Sequence, residues 1–487
     1  MFESAEVGSS VSKEEFKAAE PELRLELINA QYDLQSADFP VVLLLMGDDP
    51  LGVNRLFDFL HEWMDARFIG THVFRPPTDE ERQRPRFWRY WRVLPPKGRI
   101  GLYLGAWALG SVAERIRKDI TKSEFARRIE HVRRFEEELV DGGALVIKLW
   151  VHLPRKAWRK RLKKKARGAY ASQLDEGDWK IYERYDNVMP IAEQFIRETS
   201  TASAAWTVIE STNRRFCHLT AVRTLLSALQ WRLSGERHTP SLPAPTVITG
   251  KGALSAVDLS SRLEPDEYER LLEKRQLQLA ELVQRAHRQG VSTVLAFEGW
   301  DAAGKGGVIR RITNALFAQY YRVVPVAAPT DEENARHYLW RFWRKLELPG
   351  RILIFDRSWY GRVLVERVES FAEPAEWQRA YAEINDFEEQ LVEHRMVVLK
   401  FWLHIDADEQ LRRFQSREQT GYKKYKITDE DYRNREKWDD YVVAVNDMVA
   451  RTSTSLAPWH LVPANDKPFA RIRVLEILCE ALKKRLG

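Results

Sequence analysis

The chain has 487 residues, 44% of them hydrophobic and 30% charged, with a formal net charge of +6. That balance excludes a disordered chain, and the length allows two or more domains with real cores. Only Cys217 and Cys479 are present, which excludes a disulfide framework or a cysteine zinc site, and the longest early apolar run, 41–46, is far short of a bilayer span. The opening MFESAEVGSS has neither a basic flank nor an apolar core, so no signal peptide and no membrane partner are expected, and a reducing cytoplasm fits best. The positive charge permits an anionic partner.

In chain order, an opening helix around Phe16 and Leu27 leads to an apolar strand at 41–46 and then to a loop with Gly47, Asp49 and Gly52. Further on come Pro77-Thr78-Asp79-Glu80-Glu81, Trp88-Arg89-Tyr90-Trp91-Arg92, Gly98-Arg99-Ile100, the apolar Val146-Ile147-Lys148-Leu149-Trp150 and a dense basic run at 155–167. Residues 234–265 hold Pro240, Pro243, Pro245, Gly250 and Gly252 with several serines and little periodicity, which reads as a linker. After it the pattern returns. Gly299, Asp301 and Gly304 answer Gly47, Asp49 and Gly52 at an offset of 252 positions (47 to 299), and the same offset pairs the aromatic segment 340–344 with 88–92 and His404 with His152. After a one-residue slip, Trp459 answers Trp206. The chain is therefore a module written twice. The expected domains are 1–237, a linker at 238–262, and 263–487.

In the second copy, 291–297 reads as a buried strand, 323–327 as a second, 351–355 as a third ending in Asp356, 396–405 as a fourth and 459–463 as a last. A helix is expected around 381–394, and a long Arg/Lys-rich helical hairpin after the fourth strand. Strands alternating with helices predict an α/β fold with a parallel sheet covered on both faces in each copy. Ligands should bind at the carboxyl ends of its strands.

Between the first strand and its helix lies Gly299-Trp300-Asp301-Ala302-Ala303-Gly304-Lys305, the phosphate-loop spacing in its proper strand–loop–helix context. Gly299, Gly304 and Gly306 let the backbone curl so that N–H groups face phosphate oxygens, and Lys305 adds a full charge. The hydroxyl that normally follows the lysine is replaced by Gly306. A hard cation must then find its oxygens on Asp301 and on Asp356, the strand-end carboxylate. Arg357 can fork onto phosphate. The hairpin, with Arg412, Arg413, Arg417, Lys423, Lys424, Lys426, Arg433 and Arg435, is a candidate basic lid. Trp340, Trp343, Trp359 and Trp438 read as core before they read as a base platform. In the first copy Lys305 is matched by Val53, Asp356 by Leu104, Arg357 by Gly105 and Ser358 by Ala106, so that copy should be catalytically dead.

The segments 299–307, Asp356-Arg357-Ser358-Trp359-Tyr360 with Glu366, and the lid from 417–419 through 426–431 to 435–438 together resemble the family-2 polyphosphate kinases. The doubled arrangement resembles the branch whose members are polyphosphate:AMP phosphotransferases. The resemblance implies tandem P-loop kinase folds, Mg²⁺ as cofactor, inorganic polyphosphate and a nucleotide as partners, and no role for nucleic acid; a homo-oligomer is compatible with it. It also implies that Ser358, Tyr360, Glu366, Arg413, Arg417, Lys423, Lys424 and Lys426 contact substrate, with Glu366 beside the acceptor or a second metal. At Gly361 the chain departs from the asparagine of many members. The residues themselves leave open a polyphosphate-dependent kinase of nucleoside diphosphates, an ATP-dependent nucleotide kinase, or a polyanion-binding protein with a vestigial loop.

Overall fold

Apolar, partly β-branched strands alternating with amphipathic helices can bury both faces only in a covered parallel sheet. Two such sheets form in the computed structural model of the chain, which describes residues 2, 6, 8–163, 183–235, 252–419 and 429–487. The first holds β1 (Val41–Gly47), β2 (Ile69–Val73), β3 (Ile100–Leu104), β4 (Leu145–His152) and β5 (Trp206–Glu210) in the order β2-β3-β1-β4-β5. The second holds β6 (Thr293–Gly299), β7 (Tyr321–Pro325), β8 (Ile352–Asp356), β9 (Val397–His404) and β10 (Trp459–Pro463) in the equivalent order β7-β8-β6-β9-β10. Every pairing among these strands is parallel.

β1 and β6 are the central strands. Val41, Leu43, Leu44 and Leu45 are fully buried, as are Leu295, Ala296 and Phe297, and each large apolar side chain contributes roughly 1.5–3 kcal/mol by leaving water. The opening helices Lys13–Leu34 and Pro265–Arg288 cover one face through Leu27 and Leu279. A lysine is buried in the same place in both sheets. Lys148 Nζ lies 2.6 Å from Glu136 and donates to the Thr199 carbonyl; Lys400 Nζ lies 2.8 Å from Glu388 and donates to the Thr452 carbonyl. With both members satisfied such a pair is tolerable, and removing one would strand a buried charge.

The expected strand at 323–327 lies two residues earlier, as Tyr321–Pro325, and the chain leaves the sheet after Pro325. The helix expected near 381–394 begins earlier, at Pro374, because Pro at the first helical position and a Glu373/Glu376 capping box start it there. Residues 252–256, inside the expected linker, form a turn at Ala253–Ala256 whose buried Leu254 donates its N–H to Asn446 Oδ1. The chain groups into two compact units: Met1–Pro77 with Arg89–Pro240 and Asp331–His337, and Thr78–Trp88 with Ser241–Thr330 and Tyr338–Gly487.

Candidate active site

β8 and β9 flank β6 on opposite sides, so the chain reverses its direction of winding at β6 and leaves a crevice beyond that strand's carboxyl end. The phosphate loop fills the lip of this crevice. Gly299 and Gly304 take φ of 145° and 111°, and Ala302 between them takes 63°. The turn closes with Ala303 N–H on the Trp300 carbonyl, and the helix Lys305–Thr313 starts at once. Its first turn leaves N–H groups for an outside acceptor. Nothing stands within 4 Å of where a Cβ on Gly306 would be, so the space over that turn is open.

Four charged groups converge there. Lys305 Nζ donates to the carbonyls of Gly299 (2.7 Å) and Trp300 (3.3 Å). Burial lowers its pKa and the Arg357 cation lowers it further, while Asp301, Glu298 and Asp356 work the other way. Asp301 is held from two sides: Oδ1 accepts from Arg357 Nη2 at 3.2 Å and Oδ2 from Asn434 Nδ2 at 3.0 Å. Asp356 ends β8 opposite Phe297, and its carboxylate accepts no hydrogen bond from any described side chain. Arg357 sits at φ 64°, a conformation costly for any residue but glycine. No group of three or more acidic, histidine or cysteine side chains is close enough to hold a metal among the described residues. Two aspartates would suit a cation that keeps several water or phosphate ligands, as Mg²⁺ does.

The candidate lid comprises, among the described residues, the helices Ala407–Glu418, Asp429–Glu436 and Trp438–Thr452. Trp438 stacks on Trp300, with ring centroids 3.6 Å apart and 8° between planes, and Trp300 Nε1 donates to His404 Nδ1. The lid is thus seated on the loop through Trp438 and Asn434. Lys467, at the head of the last helix, has its pKa pulled down to about 8 by partial burial and then by Arg413, Arg417 and Arg471. Arg471 reaches to within 3.6 Å of the Cβ position of Gly307.

The structure brings Gly299, Gly304, Gly306, Asp301, Lys305, Asp356 and Arg357 together, and Arg417 lies near Lys467. It places three expected substrate contacts elsewhere. Tyr360 is fully buried; its hydroxyl donates to Glu388 Oε1 and accepts from Lys400, so it belongs to the buried ion pair. Ser358 is 3% exposed and spends its hydroxyl on Glu298. Arg413, 4% exposed, gives its guanidinium to the carbonyls of Ala302, Ala303, Ala464 and Asn465 and to Glu409, which makes it a brace under the loop. Glu366 pairs with Arg362 behind Gly361, and burial raises its pKa. Lys423, Lys424 and Lys426 lie outside the described residues. Trp340, Trp343 and Trp359 are core. Glu298, Asn434, Lys467 and Arg471 were not singled out in the sequence. Glu298 carried a signal, since its counterpart at the repeat offset is Met46, and so did Arg471, which answers His218 after the one-residue slip.

The first copy gives the loop up to helix: no residue from 47 to 52 takes a positive φ, and the helix Pro50–Trp63 starts three residues before Val53, the counterpart of Lys305. Gly52 lies under Asp49, whose Oδ2 is 2.5 Å from the position of a Cβ there and accepts from Ser211 Oγ. Asp48 accepts from Trp150 Nε1 and the Leu153 N–H and pairs with His152, which also meets Glu6 and the ring of Phe2. Pro50 opens the helix without an N–H. The basic run reaches 163 within the described residues, with Arg155 paired to Asp186.

The family Polyphosphate kinase 2 (PPK2) matches the sequence twice, over residues 10–236 and 262–486. The chain is 47% identical to the Polyphosphate:AMP phosphotransferase of Pseudomonas aeruginosa, over 99% of each chain. It is 38% identical to the Polyphosphate:AMP phosphotransferase of Acinetobacter johnsonii, over 95% of this chain and 96% of that one. A crystal structure from Pseudomonas aeruginosa has the same fold, with a TM-score of 0.91 at 47% identity, covering 100% of this chain and 99% of the other. Two matches to one family in tandem and relatives alike from end to end make the chain a member of the polyphosphate kinase 2 family.

Proposed function

We propose that this chain transfers a phosphoryl group from inorganic polyphosphate to AMP, giving ADP. The observation that carries the reading is the convergence of Lys305, Arg357, Asp301 and Asp356 on the open side of one glycine loop, where the other copy has Val53, Gly105, Asp49 and Leu104. Phosphoryl transfer asks mainly for alignment and charge neutralisation. The loop N–H groups and Lys305 hold the transferring phosphoryl. Arg357 leaves Asp301 for a phosphate oxygen, and the cations at Arg417, Arg471 and Lys467 carry the rest of the polyanion. Asp301, released on one side, faces the acceptor. Asp356 and Asp301 are the residues that would hold Mg²⁺, which when bound neutralises charge on the bridging oxygens. The relatives' name supports AMP as acceptor. No helix among the described residues is long and apolar enough to cross a membrane. A cytoplasmic location is part of the reading, supported by two cysteines that are both buried and unpaired.

The test is to give the purified protein polyphosphate, Mg²⁺ and, in turn, AMP, ADP, GMP and GDP, and to identify the products. ADP should form from AMP and polyphosphate, AMP should not be consumed when ATP replaces polyphosphate, and turnover should stop with EDTA or with Asp356→Asn. Turnover confined to the diphosphates, or undiminished in metal-free buffer, would refute the reading.

A further inference from the structure

Arg357 pairs with Asp301 from a backbone conformation that glycine takes easily and arginine does not. Something must hold it there. Its own N–H donates to the Phe297 carbonyl. The next residue is gripped harder: Ser358 N–H and Ser358 Oγ both donate to Glu298 Oε1, at 2.7 and 2.8 Å. Glu298 is 6% exposed at the end of β6, and Ser358 is 3% exposed. Ser358 Oγ in turn accepts the Tyr360 N–H and caps the short helix Trp359–Val363.

The repeat supplies an internal control. The first copy makes the same kink, with φ 67° at Gly105, but Glu298 and Ser358 are replaced by Met46 and Ala106, both buried and neither able to form the clamp. The buried lysine–glutamate pair, by contrast, is present in both copies. What the fold needs, both copies kept. The clamp is present only where the kinked residue is arginine. We infer that Glu298 is a positioning residue for Arg357: its carboxylate fixes the Asp356-Arg357-Ser358 turn so that the guanidinium meets Asp301 and the phosphate loop. Ser358 is the handle it holds rather than a substrate contact.

The activity arm of the test rests on the phosphotransfer reading above; the stability arm does not. Glu298→Met, the first copy's residue, should lower kcat about 100-fold, the scale of a displaced catalytic group, with little change in KM for AMP. Glu298→Gln keeps an acceptor oxygen and should recover most of that loss. Ser358→Ala, which leaves Lys305 and the backbone bond alone, should show a smaller loss of the same kind and keeps the test open if Glu298→Met folds poorly. In an Arg357→Gly background both substitutions should add almost nothing, because glycine needs no clamp. The urea midpoint should fall in Glu298→Met and rise again when Arg357→Gly is added. Losses that multiply between positions 298 and 357, a Gln variant as impaired as Met, or midpoints that fall additively would each overturn the inference. A wild-type protein inert toward AMP and polyphosphate would instead overturn the function, leaving the midpoints to decide the clamp.

Discussion

A methyl group added at Gly299 would stand 2.6 Å from the Leu403 carbonyl oxygen, on a residue whose φ of 145° is essentially glycine's own. The strain alone costs on the order of 1–3 kcal/mol, and the contact is with backbone that cannot step aside. Gly299→Ala should therefore lower the melting temperature and the activity together. Gly306 differs: its Cβ position is open and its φ is not positive. Gly306→Ala should leave the melting temperature unchanged or raise it, since alanine is better than glycine in a helix by about 1 kcal/mol. Activity should still fall, because the new methyl stands where phosphate oxygens approach the first helical turn. Melting curves beside ADP formation check both, and a fully active Gly306→Ala would mean that phosphate does not cross that turn. At this scale Lys305 and Asp356 were legible because their spacing from strand ends restricts where they can be. Arg413 was not. An arginine on a basic helix looks like a phosphate ligand, and only the fold shows that backbone carbonyls have already taken its donors. Glu298 has no pattern of its own; its meaning lies in a partner 60 residues away.

At the scale of elements, the strands were legible because buried parallel strands are continuous apolar runs, and the misplaced edge of β7 follows from the limit Pro325 sets on pairing. The seating of the lid was not legible, because stacking of Trp438 on Trp300 joins two elements that periodicity treats separately. That joint depends on the end of β9. His404 Nδ1 accepts from Trp300 Nε1, so the ring must be neutral, and its pKa falls from 6.5 to about 4, through burial and against the opposing pull of Asp406. The unfolded chain takes up this proton below pH 6.5 and the folded chain resists until about 4. The contribution to stability is therefore complete above 6.5 and is lost as pH falls toward 4, by roughly 3 kcal/mol at most. His218 in the first unit, also lowered to about 4, gives that unit a slope of its own. His404→Asn places an acceptor oxygen near the old Nδ1 and removes the titration. Urea unfolding between pH 4 and 7 should then show a shallower pH slope in one transition, where the partly buried His394 and His460 keep a share, and an unchanged slope in the other. An unchanged slope in both would show that His404 does not titrate with unfolding.

The whole molecule poses the question of why one module should stay armed while its duplicate closed. Val53 and Leu104 remove the phosphate-binding cation and the candidate metal carboxylate, but the structure shows that the loss runs deeper than two residues. The helix Pro50–Trp63 takes the place of the loop, and Asp49 lies folded over Gly52 at its start, held there by Ser211. Pro50 removes a donor from the helix start, Gly105 offers no guanidinium, and Met46 and Ala106 cannot clamp one. With the loop turned into helix, the remaining carboxylate at the helix start also repels an incoming anion. Restoring only the two missing charges, as Val53→Lys with Leu104→Asp, should therefore leave the first copy inactive. The experiment belongs in the full chain carrying Lys305→Ala, so that the second copy contributes only background. ADP formation from polyphosphate and AMP should stay at the level of Lys305→Ala alone, with the introduced lysine drawn into an ion pair with Asp49 and not toward substrate. Adding Asp49→Asn and Gly105→Arg, with Met46→Glu and Ala106→Ser to clamp the new arginine, should be the minimum change that lets a polyanion protect the first unit from urea. Turnover rising clearly after the two-residue restoration would show that the cradle was open all along, and that only the missing lysine and aspartate separated the two copies.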